Sequence, residues 1–143
     1  MARIDIALPD QFAFSTVVSL HQAHINHRGH LDNVMLLSLV SEVRQRFFES
    51  IGQSNLDSEG IGIVIADAAV QYRSEAHCGE TMLVKMTARD LTSKGCDLPW
   101  QMTEKNSGKE VARGKIGVVF FDYATRKAVL VPESFRQLFA TCS

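Results

Sequence analysis

The stretch "HINHRGHLDN", His24 to Asn33, packs three histidines at three-residue spacing, two asparagines, an arginine, a glycine and an aspartate into ten residues. Imidazoles exchange protons near neutral pH. A side-chain amide donates and accepts hydrogen bonds but cannot take a proton from water. Gly29 leads toward a helix start, where exposed backbone N–H groups and the helix dipole suit a developing oxyanion. His30 is expected to orient the Asn/Asp network or to donate to a carbonyl oxygen. His24 precedes Asn26 by two residues and shares its face if the strand is still extended there, whereas His27 faces solvent. Three imidazoles also suggest zinc, but this spacing matches no zinc signature, and no metal is expected. A plain tight turn at Gly29 and a helix cap at Asp32 or Asn33 account for part of the same polarity.

Two carboxylates elsewhere could supply a base. Asp67 continues the alternation of Ile61, Ile63 and Ile65, so it falls where an apolar side chain is expected. A lone carboxylate there must be paired, raised in pKa or solvated by a cavity; a local bulge turning it to solvent is the structural alternative. Glu42 stands four residues before Arg46, the favourable order for a surface ion pair.

The elements that must position these groups follow from periodicity. Phe12–Gln22 is a strand candidate. Leu31–Gly52 has no internal glycine or proline and ends at Gly52, a helix stop. At about 100° per residue, Leu36, Val40, Val43, Phe47 and Ile51 share one face, which Leu37, Leu39 and Phe48 widen. So broad a sector predicts a helix enclosed by protein. From Ile61 the period becomes two, in runs to Tyr72, from Thr81 to Arg89, from Cys96 to Thr103 and from Lys109 to Phe120, separated by "HCGE", "TSKG" and "NSGK". Pro99 inside such a run predicts an edge strand or a bulge. Pro132 opens a short closing helix. An antiparallel sheet wrapped around one long helix is the economical α+β arrangement, and a single sheet layer leaves helix surface for a partner subunit to cover.

Length and composition set the bounds. The chain has 143 residues, 45% of them apolar and 22% charged, with a formal charge of −1. That fits one globular domain over residues 1–143 and lacks the basic footprint of a nucleic-acid binder. No apolar run reaches a membrane span, no secretory signal is evident, and three cysteines without paired spacing point to free thiols in the cytoplasm.

The order of elements, with "GHLDN" at Gly29–Asn33 and "EVR" at Glu42–Arg44, resembles the hotdog fold. It is similar to the acyl-CoA thioesterases related to 4-hydroxybenzoyl-CoA thioesterase. "VQYRSEAHCGETMLVK" and the tail from "GKEVARGK" to "VPESF" extend the resemblance to about residues 12–138. The resemblance implies hydrolysis of a coenzyme A or acyl-carrier-protein thioester without a cofactor or metal, by a homodimer or a dimer of dimers. It places the reacting carbonyl at Asn26, Gly29 and His30, and the substrate against His24, Leu31 and Asn33. It places coenzyme A phosphates near Lys94 in the turn Thr92–Gly95. It also implies a helix carboxylate as base, hence Glu42, or a strand carboxylate reaching the neighbouring subunit's site, hence Asp67. One departure matters: the family's usual aspartate, three residues before the glycine, is Asn26 here. A non-catalytic acyl-thioester-binding protein and an enoyl-thioester hydratase or dehydratase are the alternatives. The hydratase motif, with its aspartate and proline, is absent.

Overall fold

The computed structural model describes residues 3–52 and 60–140. Strand β1 (Phe14–Ser19) leads through a 3-10 turn (Gln22–His24) to helix α1 (Asn33–Ser50). Strands β2 (Ile61–Tyr72), β3 (Thr81–Met86), β4 (Gly95–Glu104), β5 (Glu110–Asp122) and the short β6 (Lys127–Ala128) follow, then helix α2 (Glu133–Phe139). All pairings are antiparallel, in the order β1-β3-β4-β5-β2, with β6 on β5. This is the expected α+β hotdog arrangement, a sheet curled around α1.

Helix α1 forms because a broad apolar sector meets a capped start. The Asp32 carboxylate accepts from the N–H groups of Val34 at 3.0 Å and Met35 at 3.3 Å, satisfying two of the helix's open amides. Leu36, Val40, Val43 and Phe47 are buried in the core, as are Leu39 and Phe48. They face the even-numbered side chains of β4, Cys96 to Met102, and those of β3. Arg46 ties the helix to β1, donating to Thr16 Oγ1 at 3.0 Å and the Val17 carbonyl at 2.9 Å. Phe135 and Phe139 of α2 close one end against Phe120 and Phe47, at ring separations of 5.2 and 5.7 Å.

Two local expectations are corrected. Pro99 lies in β4, the middle of the sheet, not at an edge or a register shift. The β3–β4 ladder lapses opposite it, between the Met86–Trp100 pair and the Arg89–Asp97 bridge, so its missing N–H interrupts no regular pair. Asp67 does not continue the isoleucine face and takes the alternative, a local bulge that turns it to solvent. The β2–β5 register shifts between Ile65 and Asp67, and one extra residue flips every later side chain. Asp67 therefore pairs with Gly117 on the sheet's outer face and is exposed.

Candidate functional site

The polar corner is built by backbone first. Strand β1 ends at Ser19, and Leu20 exchanges hydrogen bonds with Glu80 and Gly79 at 2.9 Å each. A turn then runs from Asn26 to Gly29, whose φ of +87° is the left-handed conformation that glycine adopts freely. Leu31 N–H donates to the Ala76 carbonyl at 2.8 Å, which locks the corner to the segment after β2. Ala76 is itself buried, and Ser74 Oγ donates to the Glu110 carbonyl at 2.6 Å. Two loops distant in sequence are thus held edge to edge by hydrogen bonds of ordinary length.

Between them opens a cleft of about 380 Å³. Asn26, His30, Leu31, Asn33 and Leu36 form one wall, and the run Tyr72–Ala76 with Val111 forms the other. His30 Nε2 lies 3.2 Å from Glu75 Oε2, with His30 half-buried and Glu75 exposed. The His77 ring stands edge-on to His30 at 5.5 Å. Asn26 Oδ1 accepts from Arg28 N–H at 2.9 Å and His30 N–H at 3.3 Å, so the carbonyl half of its amide holds the turn. Beside the cleft, Glu110 bonds Arg113 at 2.9 Å and faces Arg73 at 3.5 Å. Burial pushes Glu110 up, but bonds from Gln101 and Arg113 and the charges of Arg113 and Arg73 outweigh it, leaving the carboxyl below its ordinary range.

Of the residues expected at the site, Asn26, His30, Leu31 and Asn33 come together. Gly29 is adjacent, but its N–H donates to the Asn26 carbonyl at 3.0 Å and is not open to an oxyanion. The Asn33 N–H, first in α1, has no acceptor among the described residues. His24 does not share Asn26's face: the chain has left the strand for the 3-10 turn, and His24 Nδ1 accepts from His21 N–H at 2.9 Å. Glu42 is exposed and paired with Arg46 at 3.3 Å, the ion pair that its spacing favours. Asp67 sits 3.5 Å from Lys115, which also bonds Asp97 at 3.2 Å. Lys94 is exposed on the β3–β4 side, outside the cleft lining. Glu75 and His77 carry no periodic signal; a carboxylate and an imidazole two residues apart in an inter-strand loop are their only mark in the sequence.

A second, smaller hollow of about 140 Å³ lies between α1 and the β2 edge, lined by Leu37, Val40, Arg44, Ile65, Trp100 and neighbours. Burial lowers the Arg44 pKa there, and among the described residues no carboxylate pairs with it. Cys78 is exposed; Cys96 is buried, its thiol pushed up to about 12 by burial and by Asp97, which makes it inert. Cys142 lies outside the described residues. No described helix is long and apolar enough to cross a membrane.

The family model of the thioesterase-like superfamily matches residues 20–139. The chain belongs to this superfamily. No curated protein matches it. Among solved structures, this thioesterase-like chain is similar to a Staphylococcus aureus protein in complex with CoA, with 21% identity and a TM-score of 0.81 over 93% of this chain and 84% of that one. It is similar to 1,4-dihydroxy-2-naphthoyl-CoA thioesterase from Synechocystis, with 20% identity and a TM-score of 0.80 over 91% and 96%. It is also similar to the 12:0-ACP thioesterase from Umbellularia californica, with 13% identity and a TM-score of 0.74 over 87% and 51%. At these identities the likeness establishes the shared hotdog fold.

Proposed function

We propose that the protein hydrolyses acyl thioesters of coenzyme A or acyl carrier protein in the larger cleft. The observation that carries this reading is the His30–Glu75 pair on the wall of a cleft beside the α1 N-terminus, in a chain of the thioesterase-like superfamily. The CoA complex and the CoA and ACP thioesterases among similar folds support the substrate class.

With Glu75 accepting the Nε2 proton of His30, the imidazole lone pair resides on Nδ1. Water gives its proton to Nδ1 while its oxygen attacks the thioester carbon. The carbonyl oxygen gains charge, met by the Asn33 N–H and the positive end of α1. The C–S bond then breaks, and the His30 proton passes to the departing thiolate. Leu31, Leu36 and Val111 supply apolar surface for the acyl group. In this reading His30, oriented by Glu75, takes the part of base that the resemblance implied for Asp67 or Glu42; within the chain both of those are in ion pairs outside this cleft.

The test is release of free thiol from a panel of acyl-CoAs. Turnover is expected, and His30→Gln should lower kcat by about 100-fold or more. Asp67→Asn should keep it; the reverse pattern would make Asp67 the base. Because an amide stands at Asn26, binding without turnover on any member would favour a non-catalytic acyl-thioester-binding protein. Hydration of an enoyl-CoA with the thioester retained would mark the hydratase.

A further inference from the structure

We propose that His30, Glu75 and His77 form a site for a zinc-class divalent cation, and that filling it stops the hydrolysis proposed above. The inhibitory half rests on that catalytic reading; the binding half does not. One ligand atom from each of the three residues lies within 4.8 Å of the other two. Two imidazoles and one carboxylate suit zinc and its neighbours, not the all-oxygen shells of calcium or magnesium. Donor atoms of a tetrahedral zinc site stand about 3.3 Å apart. His30 Nε2 and Glu75 Oε2 are already at 3.2 Å. His77 and Glu75 have side chains 51% and 62% exposed, so rotation alone can bring them in.

The surroundings favour a built site. Glu80 Oε1 accepts the His77 backbone N–H at 2.7 Å and lies 3.5 Å from its Nδ1. A carboxylate on that side of the ring leaves Nε2 for the cation, the outer-shell arrangement common to ligating histidines. The ligands sit on anchored backbone: the Leu31–Ala76 bond joins the two loops, and Leu20 holds Gly79 and Glu80. Three protein ligands leave a fourth position for water, and His30 and Glu75 both line the cleft.

The consequence for hydrolysis follows from proton placement. A cation on Nε2 confines the single proton of neutral imidazole to Nδ1. Nδ1 is the atom that must accept a proton from water, so a filled site has lost its imidazole base.

Binding is read first, by titrating the purified full chain with zinc chloride in a calorimeter and with cobalt(II) chloride by visible absorption. One equivalent is expected in the native chain and in His21→Gln, which alters the other histidine pair. Affinity should fall by about 100-fold or more in His77→Gln and in Glu75→Gln, beyond what losing an outer-shell partner costs, with melting curves confirming that both fold. No uptake by the native chain, or equal uptake by His77→Gln, would overturn the site. Thiol release is read second. Zinc should abolish it in the native chain, a chelator should restore it, and His77→Gln should keep its basal rate and resist zinc. Uptake with turnover unchanged or raised would overturn the inhibitory half and leave the site standing. A chain that binds zinc but hydrolyses nothing would fail the catalytic reading instead.

Discussion

At the scale of single residues, Asn26 decides how this site differs from the pattern it resembles. Its Oδ1 holds two backbone N–H groups, those of Arg28 and His30. A carboxylate at this position would accept the same two bonds, and those donors would favour its charged form. Asn26→Asp is therefore expected to fold with an unchanged melting temperature and to gain a second base at the carbonyl corner. Steady-state kinetics on the best acyl-CoA should show kcat/KM raised by about 10-fold or more. An unchanged rate with intact folding would place the reacting carbonyl away from residue 26.

At the scale of elements, the site depends on where α1 begins. The Asp32 carboxylate caps the amides of Val34 and Met35, which leaves the Asn33 N–H at the cleft wall for a ligand. Asp32→Ala should cost about 1 kcal/mol of stability, read as a lower midpoint in a denaturant titration. The bulge in β2 is the other decision made by an element. By inserting one residue after Ile65 it moves Asp67 onto the outer face over Gly117, beside Lys115 and Asp97. A Cβ at Gly117 would collide with the Asp67 carboxylate, so this glycine is what lets Asp67 lie flat on the sheet.

At the scale of the whole molecule, the sheet ends on β2, twelve residues long and, among the described residues, paired on one side only. A long open edge is a template for further pairing. Beside it stand exposed Ile65 and Leu37 and the Arg44 hollow. A second copy of the chain meeting this edge would cover the part of α1 that a single sheet layer leaves open, which makes a homodimer the expected state. Light scattering on the eluting protein should give twice the chain mass. Ile65→Lys should shift it toward monomer while keeping the circular dichroism of the fold. A native chain that elutes as a monomer would remove the dimer from the account.

The chain alone made the element types legible, because hydrophobic period is a local property. A continuous apolar helix with a cap, and strands of alternating character, follow from residues within a few positions of one another. It also marked Asn26, His30, Leu31 and Asn33, which are neighbours along the chain and so arrive at one corner in any fold that starts α1 there. Tertiary structure alone decided the rest. Asp67 left the core face because a bulge is a property of the β2–β5 pair, and β2 read alone offers it only as one of two alternatives. Pro99 could occupy the middle strand because its neighbour β3 breaks its ladder opposite it. Glu75 is far from His30 in the chain, and backbone bonds between the two loops, Leu31 to Ala76 and Leu20 to Gly79 and Glu80, hold carboxylate and imidazole 3.2 Å apart. Periodicity reports which face a residue takes within its own element; which elements touch is settled by packing and by the backbone bonds between loops.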